Sequence, residues 1–89
     1  MSILIEQTVF DNVGYDRDAD VLYLHVGDPP SAVDFDGTPE GHATRFDADG
    51  RLVGLTIVNA RWLLDREGHI TITLPERIEV PATAFNEAV

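Results

Sequence analysis

The sequence predicts a domain of the α+β class that is mainly β: an antiparallel β-sheet of hairpins, with about five to seven strands and one or two short helices. Turn-forming residues recur at short intervals, and the segments between them are rich in apolar and β-branched residues. In addition, Asp49-Gly50 lies between two apolar runs, which is the strongest short-range hairpin signal. A chain of 89 residues has room for one core, so we expect a single domain over residues 1–89.

The first third of the chain contains three predicted strands. Ile3–Phe10 is β-branched and apolar and is expected to form one strand, and a short strand starts over Val13–Tyr15. Asp16–Asp20 then turns the chain into the strand Val21–Val26. Gly27–Pro30 is expected to close that strand, because glycine and proline favour turns.

The middle of the chain contains the clearest hairpin. Ala32–Asp36 is a candidate strand that ends at Gly37–Pro39. His42–Asp47 is expected to pair with Arg51–Val58 across the turn Asp47–Gly50. Glycine at the end of that turn accepts a positive φ at low cost, which supports the assignment.

A short helix is predicted after the central hairpin. Asn59 can cap a helix over Ala60–Glu67, with Gly68 at the position that follows the helix. In the alternative, 65–68 forms a hairpin turn. We favour the helix, because Ala60, Leu63 and Leu64 then share one face.

The C-terminal quarter is predicted to be a hairpin followed by a second helix. His69–Leu74 alternates isoleucine and threonine, which is typical of a half-buried strand, and Pro75 ends it. Arg77–Val80 is expected to return beside it. Pro81 can then open a last short helix over Ala82–Ala88.

Two predicted strands have an unusual pattern that points to self-association. Val21–Val26 and Leu52–Val58 are apolar on both faces, and strands of this kind are usually covered on both sides. The predicted helices are short and cover one face only. We therefore expect a homodimer that buries the second face.

The charge balance restricts the classes of partner. The chain has 16 acidic and 6 basic residues, a formal net charge of -10. Such a surface repels nucleic-acid phosphates and anionic lipids, so we expect no nucleic acid and no membrane partner, whereas a basic protein is allowed. No apolar run approaches the ~20 residues of a membrane span, and the first ten residues do not read as a signal peptide. Without cysteine, the chain suits a reducing compartment, and we expect a cytoplasmic protein.

Two motifs resemble a known family. Tyr15–Leu24 reads Y-D-x-x-x-D-x-L-Y-L, and it is followed by Arg45–Leu55 and then by Ile57–Ala60. Together they resemble the small bacterial and archaeal family called domain of unknown function 2283, over a core of 13–64 with an extension over 67–89.

The resemblance implies no catalytic residue, because the family has no established activity. Some relatives look like antitoxin partners of small toxin-like proteins, which implies an interaction role for this chain. The chain departs from the family pattern at His42 and Thr44, where valine or leucine is expected.

Three aspartates in one turn form the first candidate metal site. Asp16, Asp18 and Asp20 resemble the opening of a calcium loop, but Val21 and Gly27 stand where that loop needs glycine and glutamate. A looser cation site is one interpretation. The favoured alternative is structural, because aspartate side chains accept hydrogen bonds from backbone amides two residues on.

Histidines and a carboxylate pair form the other chemical candidates. His25, His42 and His69 are residue types that bind zinc, but they come from three separate segments, so partly buried or edge histidines are favoured. Asp34 and Asp36 share one strand face, about 7 Å apart. The favoured interpretation of this pair is a solvated face rather than acid–base catalysis.

The serines and the single tryptophan are the remaining candidates for a catalytic or binding role. Neither Ser2 nor Ser31 lies in a G-x-S-x-G motif, so no serine nucleophile is indicated. Trp62, with Arg61 and Leu63, is the candidate interface anchor, since tryptophan and arginine are enriched at binding hot spots. The equally weighted alternative is that Trp62 covers the sheet core.

These observations predict a protein-interaction module without catalytic activity or cofactor, and an antitoxin-like partner of a basic protein is the specific form that we consider. The alternative is a metal-ion or small-molecule binding protein, or a metal-dependent hydrolase, that uses the aspartates and histidines.

Overall fold

Short strands dominate the structure, a computed structural model that describes residues 2–27, 32–85 and 88–89. The predicted class, α+β and mainly β with antiparallel strands and two short helices, is confirmed. In the described residues the elements are β1 (Ile3–Ile5), β2 (Thr8–Phe10), β3 (Asn12–Asp16), β4 (Val21–His25), β5 (Asp34–Gly37), β6 (Ala43–Phe46), β7 (Leu52–Val58), α1 (Ala60–Glu67), β8 (His69–Thr73), β9 (Arg77–Pro81) and α2 (Ala82–Phe85).

A five-stranded antiparallel sheet in the order β3-β4-β7-β6-β5 forms the centre of the fold, and we call it the central sheet. The predicted hairpin between β6 and β7 is present, and Asp47 holds its turn. The Asp47 carboxylate accepts hydrogen bonds from the Asp49 and Arg51 amides, each at 2.9 Å. Gly50 has a φ of 80°, which glycine adopts without strain.

The N-terminal segment differs from its prediction as one strand. Ile3–Phe10 forms two strands, β1 and β2, which pair with each other across a turn at Glu6-Gln7. The backbone of Glu6 has a φ of 56°, which residues other than glycine, asparagine and aspartate rarely adopt. The turn contains no glycine or proline, so the local sequence gave no signal for it.

The predicted helix over Ala60–Glu67 is confirmed as α1, and the hairpin-turn alternative is wrong. Gly68 follows the helix with a φ of 76°, and its amide donates to the Leu64 carbonyl. Asn59 does not cap the helix as predicted. It has a φ of 57° and makes no side-chain capping bond, because a side chain from another turn occupies that position.

The hairpin and helix predicted at the C-terminus are present. β8 pairs with β9 in a separate two-stranded sheet, and Pro81 is the last residue of β9. The predicted helix extends over Ala82–Phe85, and residues 86 and 87 lie outside the described part. The predicted turn residues 28–30 and Ser31 also lie outside it, and β5 starts at Asp34 instead of Ala32.

The hydrophobic core lies against one face of the central sheet. β1, β2, the β8–β9 hairpin and both helices contribute to it. Its buried members are Ile3, Ile5, Phe10, Leu22, Leu24, Leu55, Ile57, Ala60, Ile70, Ile72, Val80 and Phe85. We call this side of the central sheet the core face and the opposite side the open face.

Candidate functional site

The open face is a nearly uncharged surface on a strongly acidic protein. By strand register, it carries only one acidic and one basic residue among the described residues, Asp16 and Arg45. Its other members are Asn12, Gly14, Val21, Tyr23, His25, Phe35, Gly37, Ala43, Gly54, Thr56 and Val58. None of these belongs to the described core or packs against it.

Aromatic side chains give the open face its apolar character. Tyr23 is 45% exposed and Phe35 is 69% exposed, although both lie within strands. The Arg45 guanidinium lies 5.5 Å from the centre of the Phe35 ring. The Arg45 stem also covers Gly54, where an added Cβ would come within 3.1 Å of the Arg45 Cβ. Gly54 therefore leaves room for Arg45 to lie across the sheet toward Phe35.

Asp20 joins the β3–β4 turn to the first turn of α1. Its carboxylate accepts hydrogen bonds from the Arg61 amide at 2.8 Å and from the Trp62 amide at 3.1 Å. The Tyr15 hydroxyl donates to the same carboxylate at 2.7 Å. Partial burial opposes ionisation, but these hydrogen bonds lower the pKa of Asp20. We call this arrangement the Asp20 link.

The other aspartates of the candidate calcium turn have separate positions. Asp16 accepts hydrogen bonds from the amides of Asp18 and Ala19, as the structural interpretation predicts. Asp18 is exposed. In the described part of the chain, no group of three or more histidine, cysteine, aspartate or glutamate residues could hold a metal ion.

The three candidate histidines lie in three different environments. The His25 Nδ1 atom lies 2.7 Å from the Gly27 carbonyl oxygen at the end of β4. The His69 Nε2 atom lies 3.6 Å from a Glu79 carboxylate oxygen on the neighbouring strand. His42 is buried, with 2% of its surface exposed. Thr44, two residues further on, is also buried and faces the core side of the central sheet.

Glu40 attaches the β8–β9 hairpin to the edge of the central sheet, and His42 is buried two residues away. The His42 Nδ1 atom accepts a hydrogen bond of 3.2 Å from the Val58 amide, and burial lowers the pKa of His42. Its Nε2 atom is buried and has no hydrogen-bond partner among the described residues. Glu40 accepts from the Thr73 amide at 3.0 Å and from the Thr73 hydroxyl at 2.8 Å. We call this arrangement the Glu40–His42 link.

The candidate interface anchor lies on α1. Trp62 is 53% exposed, and the Arg66 guanidinium lies 4.9 Å from the centre of its ring. Arg61 pairs with Asp65 at 3.2 Å and donates to the Val89 carbonyl. Leu63 is half-buried and packs against the core. The predicted trio is therefore divided, with Trp62 and Arg61 at the surface and Leu63 facing inward.

A cavity of about 430 Å³ lies between the β5–β6 hairpin and the tip of the β8–β9 hairpin. Asp36 lines it, and both Asp34 and Asp36 are exposed, as the solvated-face interpretation predicts. Its described lining residues are Asp36, Gly37, Thr38, Thr44, Phe46, Gly50, Leu52, Thr73, Leu74 and Pro75.

Sequence analysis missed the residues that bring this region together. Glu40 and Thr38 lie in a turn next to Pro39 and Gly41, and nothing in that turn indicates a contact with Thr73, which lies 33 residues beyond Glu40. Phe35 was expected to lie opposite a solvated face, yet it is exposed as well. The positions of these residues relative to one another are set by the strand pairing, which depends on contacts between residues that are distant in the sequence.

No helix in the described residues is long and apolar enough to cross a membrane. A family model described as a protein of unknown function (DUF2283) matches residues 12–61. Searches of curated proteins and of solved structures found no match.

Proposed function

Because the chain belongs to the DUF2283 family, whose function is unknown, we propose from its own surfaces that it is a non-enzymatic protein-interaction module. In this proposal it forms a homodimer in the cytoplasm through the open face and uses its acidic surfaces to bind a basic protein, as an antitoxin-like partner does. One observation carries the proposal: a face with one acidic residue, one basic residue and exposed aromatic residues, on a chain with a net charge of -10.

Charge distribution supports a second copy as the occupant of the open face. Two chains of charge -10 repel each other at most orientations. On the open face, however, Asp16 and Arg45 carry opposite charges that cancel. Two copies can therefore meet there with little repulsion, and burial of Tyr23 and Phe35 would stabilise the contact.

The remaining surface supports a basic partner. Outside the open face, the acidic residues outnumber the basic ones by a wide margin, which favours encounter with a positively charged protein. Trp62 adds an exposed aromatic ring with Arg66 against it, and residues of these types are common at binding hot spots. Partner binding and dimerisation would thus use different surfaces.

The dimer is tested by light scattering coupled to size-exclusion chromatography at micromolar concentration. We expect the wild-type chain to elute as a dimer and Tyr23→Glu to elute as a monomer, because the substitution places a charge in the middle of the open face. Leu4→Glu is the matched control, since Leu4 is an exposed strand residue outside the open face, and it should remain dimeric. A wild-type monomer contradicts this part of the proposal.

The basic partner is tested by gentle co-purification of the tagged chain at its native expression level, followed by mass spectrometry. We expect a stoichiometric basic protein whose recovery decreases at high salt, because salt screens exposed charges. Trp62→Ala should reduce its recovery, and Val9→Ala, at another exposed apolar residue, should not. Recovery of the chain alone contradicts the proposal.

A further inference from the structure

The cavity beside β5 offers hydrogen-bond acceptors and no charged donor among the described residues. Asp36 is the one charged residue in its described lining, and no lysine, arginine or histidine accompanies it. A negatively charged guest would therefore be repelled, and a positively charged guest would be attracted.

Two of the three threonine hydroxyls in the described lining of the cavity already donate their protons within the protein. Thr73 donates to Glu40, and Thr44 donates to the Asp36 carbonyl at 3.3 Å, while the Thr38 hydroxyl accepts from the His42 amide at 3.1 Å. A hydroxyl has one proton and two lone pairs, so Thr44 and Thr73 have only acceptor capacity left for a guest. The complementary guest is one that donates several hydrogen bonds.

Apolar side chains form the rest of the wall. Phe46 and Leu52 come from the central hairpin, and Leu74 and Pro75 come from the tip of the β8–β9 hairpin. A volume of about 430 Å³ lies within the usual range for small-ligand pockets and accommodates an aliphatic stem with a polar head. Long basic side chains have this form, because they bury their methylene groups while the charged head keeps polar partners.

We propose that this cavity binds a long cationic side chain, lysine or arginine, of the basic protein partner. The inference rests on the proposed function and adds the place and chemistry of recognition. The stem lies against Phe46, Leu52 and Leu74, and the head donates to the Asp36 carboxylate and to the threonine oxygens at the rim.

The isolated chain and n-butylguanidinium chloride test the site, by following backbone amide signals in NMR titrations at constant ionic strength. We expect saturable shifts confined to residues around the cavity, such as Thr38, Thr44 and Leu74. The neutral analogue n-butylurea has a similar shape and should not saturate. Shifts that spread over the acidic surface without saturating overturn the inference.

Two aspartate variants distinguish binding in the cavity from nonspecific attraction to the acidic surface. Asp36→Asn keeps the shape and the oxygen that accepts from the Gly37 amide, and it should weaken n-butylguanidinium binding about two- to fivefold. Asp18→Asn removes the same charge from an exposed turn and should leave binding unchanged. Equal affinities of wild type and Asp36→Asn overturn the inference.

Co-purification distinguishes failure of this inference from failure of the proposed function. A basic protein recovered equally by wild type and Asp36→Asn, with no binding of n-butylguanidinium, overturns the inference and leaves the proposed function standing. Cavity binding of n-butylguanidinium without any co-purifying protein overturns the assignment to a partner side chain, and a free amine then becomes the occupant. Loss of the partner with Asp36→Asn and not with Asp18→Asn supports both.

Discussion

The Asp20 link and the Glu40–His42 link both attach another element to the central sheet, but they do so in different surroundings. Asp20 is a partly exposed carboxylate that binds two amides at the start of a helix. His42 is buried, and Glu40 binds the Thr73 amide at one edge of β8. The first link places a carboxylate at a helix terminus, whereas the second combines a carboxylate on a strand edge with a buried histidine.

The two links also differ in what they join. The Asp20 link connects Asp20 with Arg61, both within the segment that matches the family. The Glu40–His42 link connects that segment with Thr73, which lies beyond it. The first link therefore closes the family segment on itself, and the second attaches the C-terminal hairpin to it. Each can be disrupted separately.

The largest effect is expected from His42→Ala. The substitution removes the acceptor of the part-buried Val58 amide and leaves a cavity, so we expect a loss of about 3 kcal/mol in the free energy of unfolding. Urea denaturation measures it. The matched control His25→Ala removes a half-buried histidine at the end of β4 and should cost less than half as much. Equal losses for the two variants would mean that burial of His42 adds nothing to the free energy of unfolding.

Asp20→Ala is expected to cost about 2 kcal/mol, because two amides of α1 lose their acceptor and alanine is strained at the φ of 56° found there. Asp20→Gly removes the same carboxylate without that strain and should cost about 1 kcal/mol. Comparison of their urea denaturation midpoints separates capping from backbone strain. If glycine costs as much as alanine, the strain contributes nothing.

A pH dependence should identify the buried histidine. The pKa of His42 is lowered in the folded state, so the unfolded chain binds a proton that the folded chain does not bind. Stability should be complete above the ordinary histidine pKa of 6.5 and fall as the pH decreases through and below it, by at most about 1.4 kcal/mol per pH unit. Denaturation between pH 7.5 and 5.5 measures this slope. His42→Asn should flatten it, and His69→Asn should not.

Glu40→Gln is expected to cost about 1 kcal/mol, because a neutral amide replaces a charge-assisted acceptor of the Thr73 amide and hydroxyl. Hydrogen exchange should show faster opening of β8 amides while those of β4 and β7 change little. Glu6→Gln, at an exposed turn, is the control. Uniformly faster exchange would show that the hairpin and the central sheet open as one unit.

The smallest effect is expected at Asn59. Sequence rules would favour serine here as a helix cap, but this residue has a positive φ and makes no capping bond. We therefore expect Asn59→Ser to destabilise by about 0.5 kcal/mol and Asn59→Gly to be neutral within about 0.5 kcal/mol. Thermal denaturation of both variants measures this difference. A stabilising serine would show that Asn59 and not Asp20 caps the helix.

Sequence reasoning succeeded where the structural signal is local. The turn at Asp47–Gly50 and the helix end at Gly68 could be predicted from the residues that form them. Aspartate stabilises a turn through its side chain, and glycine accepts a positive φ. It failed where the partner is distant. The helix cap comes from Asp20, about 40 residues before α1, and the turn at Glu6 contains no turn-forming residue.

The candidate sites show the same division between local and distant information. The apolar pattern of β4 and β7 can be read from the sequence, but only the strand order shows which residues make up the nearly uncharged open face. The cavity beside Asp36 could not be predicted, because its walls come from hairpins about 30 residues apart in the chain. Such a site exists only after the hairpins have docked.

The hydrogen bond between Glu40 and the Thr73 amide has a consequence for solubility. β8 reads His-Ile-Thr-Ile-Thr, an uncharged β-branched segment of the kind that adds strands from other molecules. At the edge of β8 away from β9, the Glu40 carboxylate accepts the hydrogen bond of the Thr73 amide. An incoming strand would need that amide as a donor. A side chain with little effect on global stability can thus protect the protein from aggregation at this edge.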